Sequence, residues 1–366
     1  MTTIIIGAGA AGLACAIRLK QNNPEYKVTI MERLPQAGKK ILATGNGRCN
    51  LSNVNATGSN EVIAFFNSIG LITKTDEEGR IYPYSNQANT VVDLLQSECT
   101  KLGIEIITQC KVIDIDKNLC VSTDKGKFNA DNIVIACGGM AQEKLGSDGS
   151  GYKLLKKLGH SITPLYPALV QLTSSSKYPR ILKGKRAKCN MKILLDNKPV
   201  KEEFGEVLFT DYGLSGIVTM NLSEVVSKNF NEQNPKKCHA VLDLIPEMTV
   251  SEITDYLRKF KNLNGILGSS LADIIEKQSD GDIEKSALFA KNWKLIITGT
   301  KGYDFAQITG GGADTQEFDG YESKMINGLY ACGEILNKQF ECGGYNLNHA
   351  WYSAIQTADA IYNKVK

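Results

Sequence analysis

Residues 2–34 read TTIIIGAGAAGLACAIRLKQNNPEYKVTIMERL. An apolar run reaches Gly7, a helix-period segment follows, and a second apolar run ends at Glu32. The periodicities predict a strand over 3–7, a helix over 11–22 and a strand over 27–32, which together make a βαβ unit. Gly7, Ala8, Gly9, Ala10, Ala11 and Gly12 occupy the strand-to-helix turn. Gly7 suits the tight turn, Gly9 lets backbone N–H groups approach a diphosphate, and Gly12 permits close packing of helix on strand. The diphosphate would rest on the helix N-terminus while Glu32 accepts from a ribose hydroxyl. An acid at that place favours an unphosphorylated ribose, hence FAD or NAD over NADP.

The far end of the chain separates those two cofactors. Residues 326–347, INGLYACGEILNKQFECGGYNL, hold an apolar strand, then Gly333-Glu334, then the pair Gly343-Gly344. A strand ending in Gly-Glu suits the ribityl–phosphate part of FAD. A helix N-terminus behind paired glycines can stabilise negative charge at the pyrimidine end of a flavin. If both ends of the chain serve one cofactor, the middle is an insertion.

The middle has its own texture. Residues 88–101 carry helical periodicity, GIEIIT (103–108) and KVIDID (111–116) read as strands, the apolar run NIVIACGG (132–139) follows, and 151–159 reads as a short helix. Prolines around 163–170 mark a change of character. Strand-like segments then follow to about 245, including VQLTS, AKCNMKILLD, GEVLFT, IVTMNLS and HAVLDLI. Residues 249–290 turn helical, strands return after 292, and a helix over 349–364 closes the chain. The expected fold is α/β: a Rossmann-like FAD domain of the two-dinucleotide-binding type from 1–163 plus 319–366. A β-rich insertion (164–248 plus 291–318) and a small helical domain (249–290) complete it.

Composition bounds the rest. The 366 residues are 42% hydrophobic and 22% charged, within the globular range. The longest apolar runs are strand-length, so no membrane association is expected. The first residues lack a cationic leader, and the ten cysteines form no CxxC pair, which together predict a cytoplasmic protein without a metal site. A net charge of +3 implies no polyanionic partner by itself. No obligate protein partner is evident.

Six ordered blocks resemble the BaiN/RdsA family of FAD-dependent oxidoreductases over nearly the full chain. They are Gly38-Lys39-Lys40 with TGNGRCNLSN (44–53), GRIYPYS (79–85), IACGG with GSDGSGY (135–152), LGHSITPLYPALVQL (158–172), GEVLFTDYGLSG (205–216) and GLYACGE with CGGYNLNHAW (328–351). The chain departs from the family pattern at Cys137, Asp211, Ile217, Asn337 and Phe340. The resemblance implies FAD contacts from the fingerprint residues and from Arg33, Lys39, Lys40, Thr44, Gly45, Asn46, Gly47, Arg48, Cys49 and Asn50. It also implies contacts from Val112, Cys137, Gly138, Gly139, Gly333, Glu334, Gly343, Gly344, Tyr345, Asn346 and Leu347. Family activities implied are formation of dihydrouridine in ribosomal RNA and reduction of unsaturated bile-acid-like molecules, with NAD(P)H as a transient donor. An oxidase of a small amine such as aminoacetone, releasing peroxide, is the alternative enzyme; a flavin-loaded RNA-binding or redox-sensing module is the non-enzymatic one.

In the segment 44–53, Gly45 and Gly47 let backbone approach a cofactor, and Arg48 suits a phosphate or a flavin carbonyl. Cys49 has two readings. It is a small buried hydrophobe, or it is the acid that protonates one carbon while a flavin delivers hydride to its neighbour. Cys342 and Tyr345 are further candidates. Arg80 reads as a loop-fixing residue and His349 as non-catalytic. Residues 177–192 hold seven Lys or Arg and no acid. They read as a lysine-guarded strand edge, or as a phosphate-contacting surface.

Overall fold

The computed structural model describes residues 1–364. Two compact units form: Met1–Leu165 with Ile308 onward, and Tyr166–Gln307. The second crossing falls at 307/308 rather than at the expected 319, because Ile308–Gly310 leads into backbone bonds of the first unit. Gly312 accepts from Thr163 N–H, and Ala313 N–H donates to the carbonyl of Ile335. Of the expected domain 319–366, the last two residues lie outside the described ones.

In the first unit a seven-stranded sheet runs in the order Phe318–Asp319, Glu322–Ser323, Leu329–Ala331, Asn132–Ile135, Thr2–Ile6, Lys27–Met31, Glu105–Ile107. The last five strands are parallel, and the first two form an antiparallel edge hairpin. The central strands are buried on both faces, which is why 4–6 and 133–135 read as unbroken apolar runs. Leu329–Ala331 pairs with Asn132–Ile135, so the two ends of the chain share one sheet. Helices Ala10–Asn22, Ala88–Lys101 and Tyr345–Asn363 bury an apolar face in a core around Ile5, Leu13 and Trp351. Two small antiparallel sheets complete the unit: Ser52–Asn53 with Arg80–Pro83 and Thr73–Thr75, and Val112–Ile115 with Cys120–Thr123 and Gly126–Asn129.

The second unit is a closed six-stranded barrel. Its order is Leu172–Ser174, Gly213–Ser215, Lys198–Phe209, Arg186–Leu195, Cys238–Asp243, Trp293–Thr300. Inward residues alternate along each strand, as Cys189, Met191 and Ile193 do, and the interior closes on Trp293 and Phe209. Asp196 and Asn197, both at positive φ, make the two-residue turn between the long strands.

Two expectations change here. IVTMNLS is the start of a helix, Ile217–Asn231, because Val218, Leu222 and Val226 recur at helical spacing and pack into the barrel core. Its β-branched opening imitates a strand. Residues 249–290 are helical, but Ile253, Leu257, Leu271, Ile275 and Ala287 share one core with the barrel, so no separate helical domain forms.

Candidate functional site

The first strand delivers Gly7 at φ 105°, and Gly9 caps the helix Ala10–Asn22. The three glycines are not equivalent. A Cβ on Gly12 would stand 1.9 Å from the Gly7 carbonyl oxygen, and one on Gly7 would meet the Ala136 oxygen at 2.7 Å. A Cβ on Gly9 would meet nothing within 4 Å. Gly7 and Gly12 are therefore required by packing, whereas Gly9 borders open space at a helix N-terminus. That is a cradle for an anion: free N–H groups and the positive end of the helix dipole. At the end of the second strand, the Glu32 carboxylate is held by the N–H groups of Ala8 (2.8 Å) and Leu34 (2.7 Å). Cys110 N–H donates to the Glu32 carbonyl, which brings the strand opening at Val112 beside it.

The segments 44–53 and 340–348, almost 300 residues apart, are bonded to one another. With its side-chain amide turned to the orientation that satisfies both groups, Asn50 donates to the Ser52 carbonyl (3.0 Å) and accepts from Gly344 N–H (3.1 Å). Asn53 Nδ2 donates to the Gly343 carbonyl (3.1 Å), and Ser52 Oγ to Asn348 Oδ1 (2.7 Å). Asn346 closes the loop before the helix by bonding the backbone of Phe340 and Glu341. A Cβ on Gly344 would collide with the Ser52 oxygen at 2.4 Å, so the paired glycines are what let the two motifs meet. Tyr345 and Leu347, both half-buried, stand in the first turn of the closing helix, whose opening N–H groups have no intrahelical partner. Sequence reasoning missed Ser52, Asn53 and Asn348. Their signal was the recurrence of Asn and Ser beside the glycines of both motifs, TGNGRCNLSN and CGGYNLNHAW.

Gly45, Asn46, Gly47 and Cys49 all have positive φ (56°, 56°, 81° and 59°), so Thr44–Asn50 is a tightly wound, partly strained loop. It exposes Asn46, Gly47 and Arg48, and the Arg48 guanidinium lies 4.9 Å from the Tyr82 ring centroid. Cys49 goes the other way. It is fully buried in the apolar core, and burial pushes its thiol up to about 12, with Thr44 as its hydrogen-bond partner. That enclosure favours the reading of Cys49 as a small buried hydrophobe over its reading as an acid. Cys137 likewise turns inward to the Ile6 carbonyl (3.4 Å), and burial pushes its thiol up to about 12.

A second network ties the late strand to the early motifs. Lys40 Nζ lies 2.8 Å from Glu334 Oε2, and Glu334 Oε1 accepts from Thr309 N–H. Thr309 Oγ1 accepts from Met140 and Ala141 N–H, just beyond Gly138 and Gly139. A Cβ on Gly139 would strike Thr309 and Glu334, and one on Gly333 would strike Ala11 of the fingerprint helix at 2.9 Å. Arg33 and Lys39 are engaged by neighbouring loops. Arg33 pairs with Asp148 (3.2 Å), and Lys39 donates to the Lys144 carbonyl (2.8 Å).

Other candidates resolve into structural roles. Arg80 is clamped by Asp76 and Glu78 (2.7 Å each), as the loop reading holds. Three of the seven basic residues in 177–192 pair with carboxylates: Arg186 with Glu206, Lys183 with Asp211 (2.6 Å) and Lys192 with Glu202 (2.9 Å). His160 bonds Glu317 through Nδ1 and Ser323 through Nε2, both at 3.0 Å, an order of groups seen in hydrolases. Here Ser323 Oγ accepts from the N–H groups of Met325 and Ile326, so its lone pairs are occupied and the chain of bonds is a structural clasp. Among the described residues no group of three or more His, Cys, Asp or Glu could hold a metal ion, and no helix is long and apolar enough to cross a membrane.

The open cradle at Gly9, the Glu32 carboxylate beside it, and a helix N-terminus behind paired glycines fit FAD. They define a flavoprotein oxidoreductase with a Rossmann-type FAD domain. The model of the HI0933-like protein Rossmann domain matches residues 1–60 and 55–360, and the chain belongs to that family. It is 35% identical to the 3-dehydro-bile acid delta(4,6)-reductase of Clostridium scindens, over 95% of each chain. It is 27% identical to the ribosomal RNA dihydrouridine synthase of Haemophilus influenzae over 98% of each chain, and 27% identical to that of Escherichia coli over 96% and 95%. The fold is shared with 3-ketosteroid delta1-dehydrogenase from Sterolibacterium denitrificans: TM-score 0.56 at 9% identity, covering 99% and 100% of the two chains.

Proposed function

We propose that this enzyme reduces a carbon–carbon double bond, with NAD(P)H as the transient hydride source. The substrate is a uridine of ribosomal RNA or an unsaturated small molecule. The observation that carries this reading is full-length similarity to a delta(4,6)-reductase and to dihydrouridine synthases, whose named products both follow from adding two hydrogens across a C=C bond. Bound FAD supplies hydride transfer, taken from the donor and passed to one carbon of the acceptor. The residues that would hold it are those of the cradle. Gly9 and the first helix turn take the diphosphate, Glu32 the ribose, Glu334 with Lys40 the ribityl region, and the first turn of the closing helix the pyrimidine edge.

A proton must reach the second carbon. With Cys49 enclosed, we assign this to Tyr345, which is half-buried at the start of the closing helix, its ring beside Gly343, where an added Cβ would meet it at 3.3 Å. Cys49 then packs the underside of the loop and keeps Thr44–Asn50 in its left-handed turns. Ten free thiols suit a reducing compartment, and we place the enzyme in the cytoplasm.

The test is direct. The holoenzyme, reduced anaerobically with NADPH or NADH, is mixed with an unsaturated steroid enone, with uridine-containing ribosomal RNA, or with air-saturated buffer. Reoxidation by either unsaturated acceptor supports the reading. Rapid reoxidation by oxygen alone, with peroxide release, replaces it with an oxidase.

A further inference from the structure

The outer wall of the barrel carries a groove of about 450 Å³ that no part of the flavin chemistry uses. Three neighbouring strands build it. Their inward residues, among them Met191, Leu242 and Trp293, fill the barrel core, so their alternates face out. Lys192, Val241 and Lys294 stand directly opposite one another on successive strands. Adjacent strands lie ~4.8 Å apart, so the two lysines rise roughly 10 Å from each other across an apolar floor. Leu194 and Val250 extend that floor, and the amides of Asn190 and Asn292 border it.

The groove's charges divide into framework and free ends. Lys291 is only 16% exposed and is committed to Asp243 (2.7 Å) and the Ile245 carbonyl (2.9 Å), which neutralises the one lining carboxylate. Lys192 meets Glu202 in a pair that is 41% and 54% exposed, and Lys294 donates to the exposed Asn197 side chain (2.6 Å). Solvent-exposed pairs of this kind contribute little and exchange readily. Two displaceable ammonium groups flanking a flat apolar floor, with amides at one side, are complementary to a planar base joined to phosphates.

We propose that this groove is a nucleotide-binding subsite for a single-stranded segment of an RNA substrate: the base lies on Val241 and Leu194, and the flanking phosphates meet Lys192 and Lys294. It rests on the RNA branch of the proposed function and locates the contact on the outer wall of the barrel, where Lys192, the last residue of the basic run 177–192, is the one member of that run lining the groove.

Fluorescently labelled oligouridylate of ten nucleotides is titrated into the FAD-loaded enzyme across a range of salt concentrations. The double variant Lys192→Gln/Lys294→Gln is compared with Lys277→Gln/Lys285→Gln, which removes equal charge from exposed helical positions of the same unit. The expected result is at least tenfold weaker binding for the groove variant alone. Its log–log salt slope should fall by about 1.4, at about 0.7 per phosphate contact on a single strand. Equal weakening in the two variants overturns the proposal, as does a wild-type enzyme that ignores the oligonucleotide at low salt. Reduction of a steroid enone by the groove variant is measured alongside. A normal rate there with lost RNA binding, or the reverse, keeps failure of the groove apart from failure of the C=C reductase reading.

Discussion

Lys40 Nζ lies 2.8 Å from Glu334 Oε2, a pair formed by residues 294 positions apart. It joins the helix Lys39–Ala43 to the turn after the Leu329–Ala331 strand, and Glu334 also receives the N–H of Thr309. One carboxylate thus registers three segments around the proposed ribityl region. Glu334→Gln keeps the shape and removes the charge. Since hydrogen bonds to a charged group contribute about 1.5–3 kcal/mol, FAD affinity should fall by about tenfold or more. Fluorescence titration of the apoprotein with FAD measures it, and an unchanged Kd would remove Glu334 from the cofactor site.

The fingerprint glycines should separate by phenotype. Gly9→Val places its side chain in open space at an ordinary φ of −86°, so the protein should fold with near-normal thermal stability and carry no flavin. Gly12→Ala drives a Cβ into the Gly7 carbonyl and should lower Tm sharply or prevent folding. Visible flavin absorption together with a melting curve distinguishes them. A yellow Gly9→Val protein would mean the diphosphate lies elsewhere.

The roles proposed for Cys49 and Tyr345 make opposite predictions. Cys49→Ala should retain FAD and both half-reactions and lose about 1 kcal/mol of stability from a buried contact. Tyr345→Phe should accept hydride from NAD(P)H normally but pass it to an unsaturated acceptor on the order of 10²–10⁴ times more slowly. Stopped-flow measurement of the two half-reactions decides. If Cys49→Ala slows the second half-reaction and Tyr345→Phe does not, the assignment is reversed.

His349 predicts an acid limb. It is buried to 5% exposure, its Nε2 has no partner, and burial, reinforced by the charge of Lys338, holds its pKa down to about 4. The folded pKa lies below the ordinary value near 6.5, so this residue's stability contribution is complete above about 6.5. It is lost as pH falls toward 4, where the unfolded chain takes up a proton that the folded chain refuses. The slope is about 1.4 kcal/mol per pH unit, or roughly 3 kcal/mol across the window. His349→Phe should flatten the fall in stability between pH 6.5 and 4 relative to wild type. Parallel curves for the two proteins would show that His349 titrates normally.

The sequence by itself determined the flavin-binding half of this protein. Gly7, Gly9, Gly12 and Glu32 sit at spacings set by local backbone geometry, which a turn, a helix and a strand reproduce wherever they occur. Much of the strand and helix texture followed from periodicity for the same reason; at Ile217–Asn231 β-branched residues hid a helical repeat, and the helix Ser59–Ser68 was not read. Only the tertiary structure decided which side chains face the cofactor cradle and which face the core. Cys49 and Arg48 are neighbours in one motif, yet the switch from right-handed Arg48 (φ −96°) to left-handed Cys49 (φ 59°) sends one inward and the other to solvent. Only the tertiary structure also set Lys40 on Glu334, Asn50 on Gly344, and Lys192 beside Lys294, because each pair is made by sheet closure or chain crossing between distant segments. Local spacing encodes a turn; which groups a closed sheet or barrel brings together depends on how the whole chain buries its apolar surface.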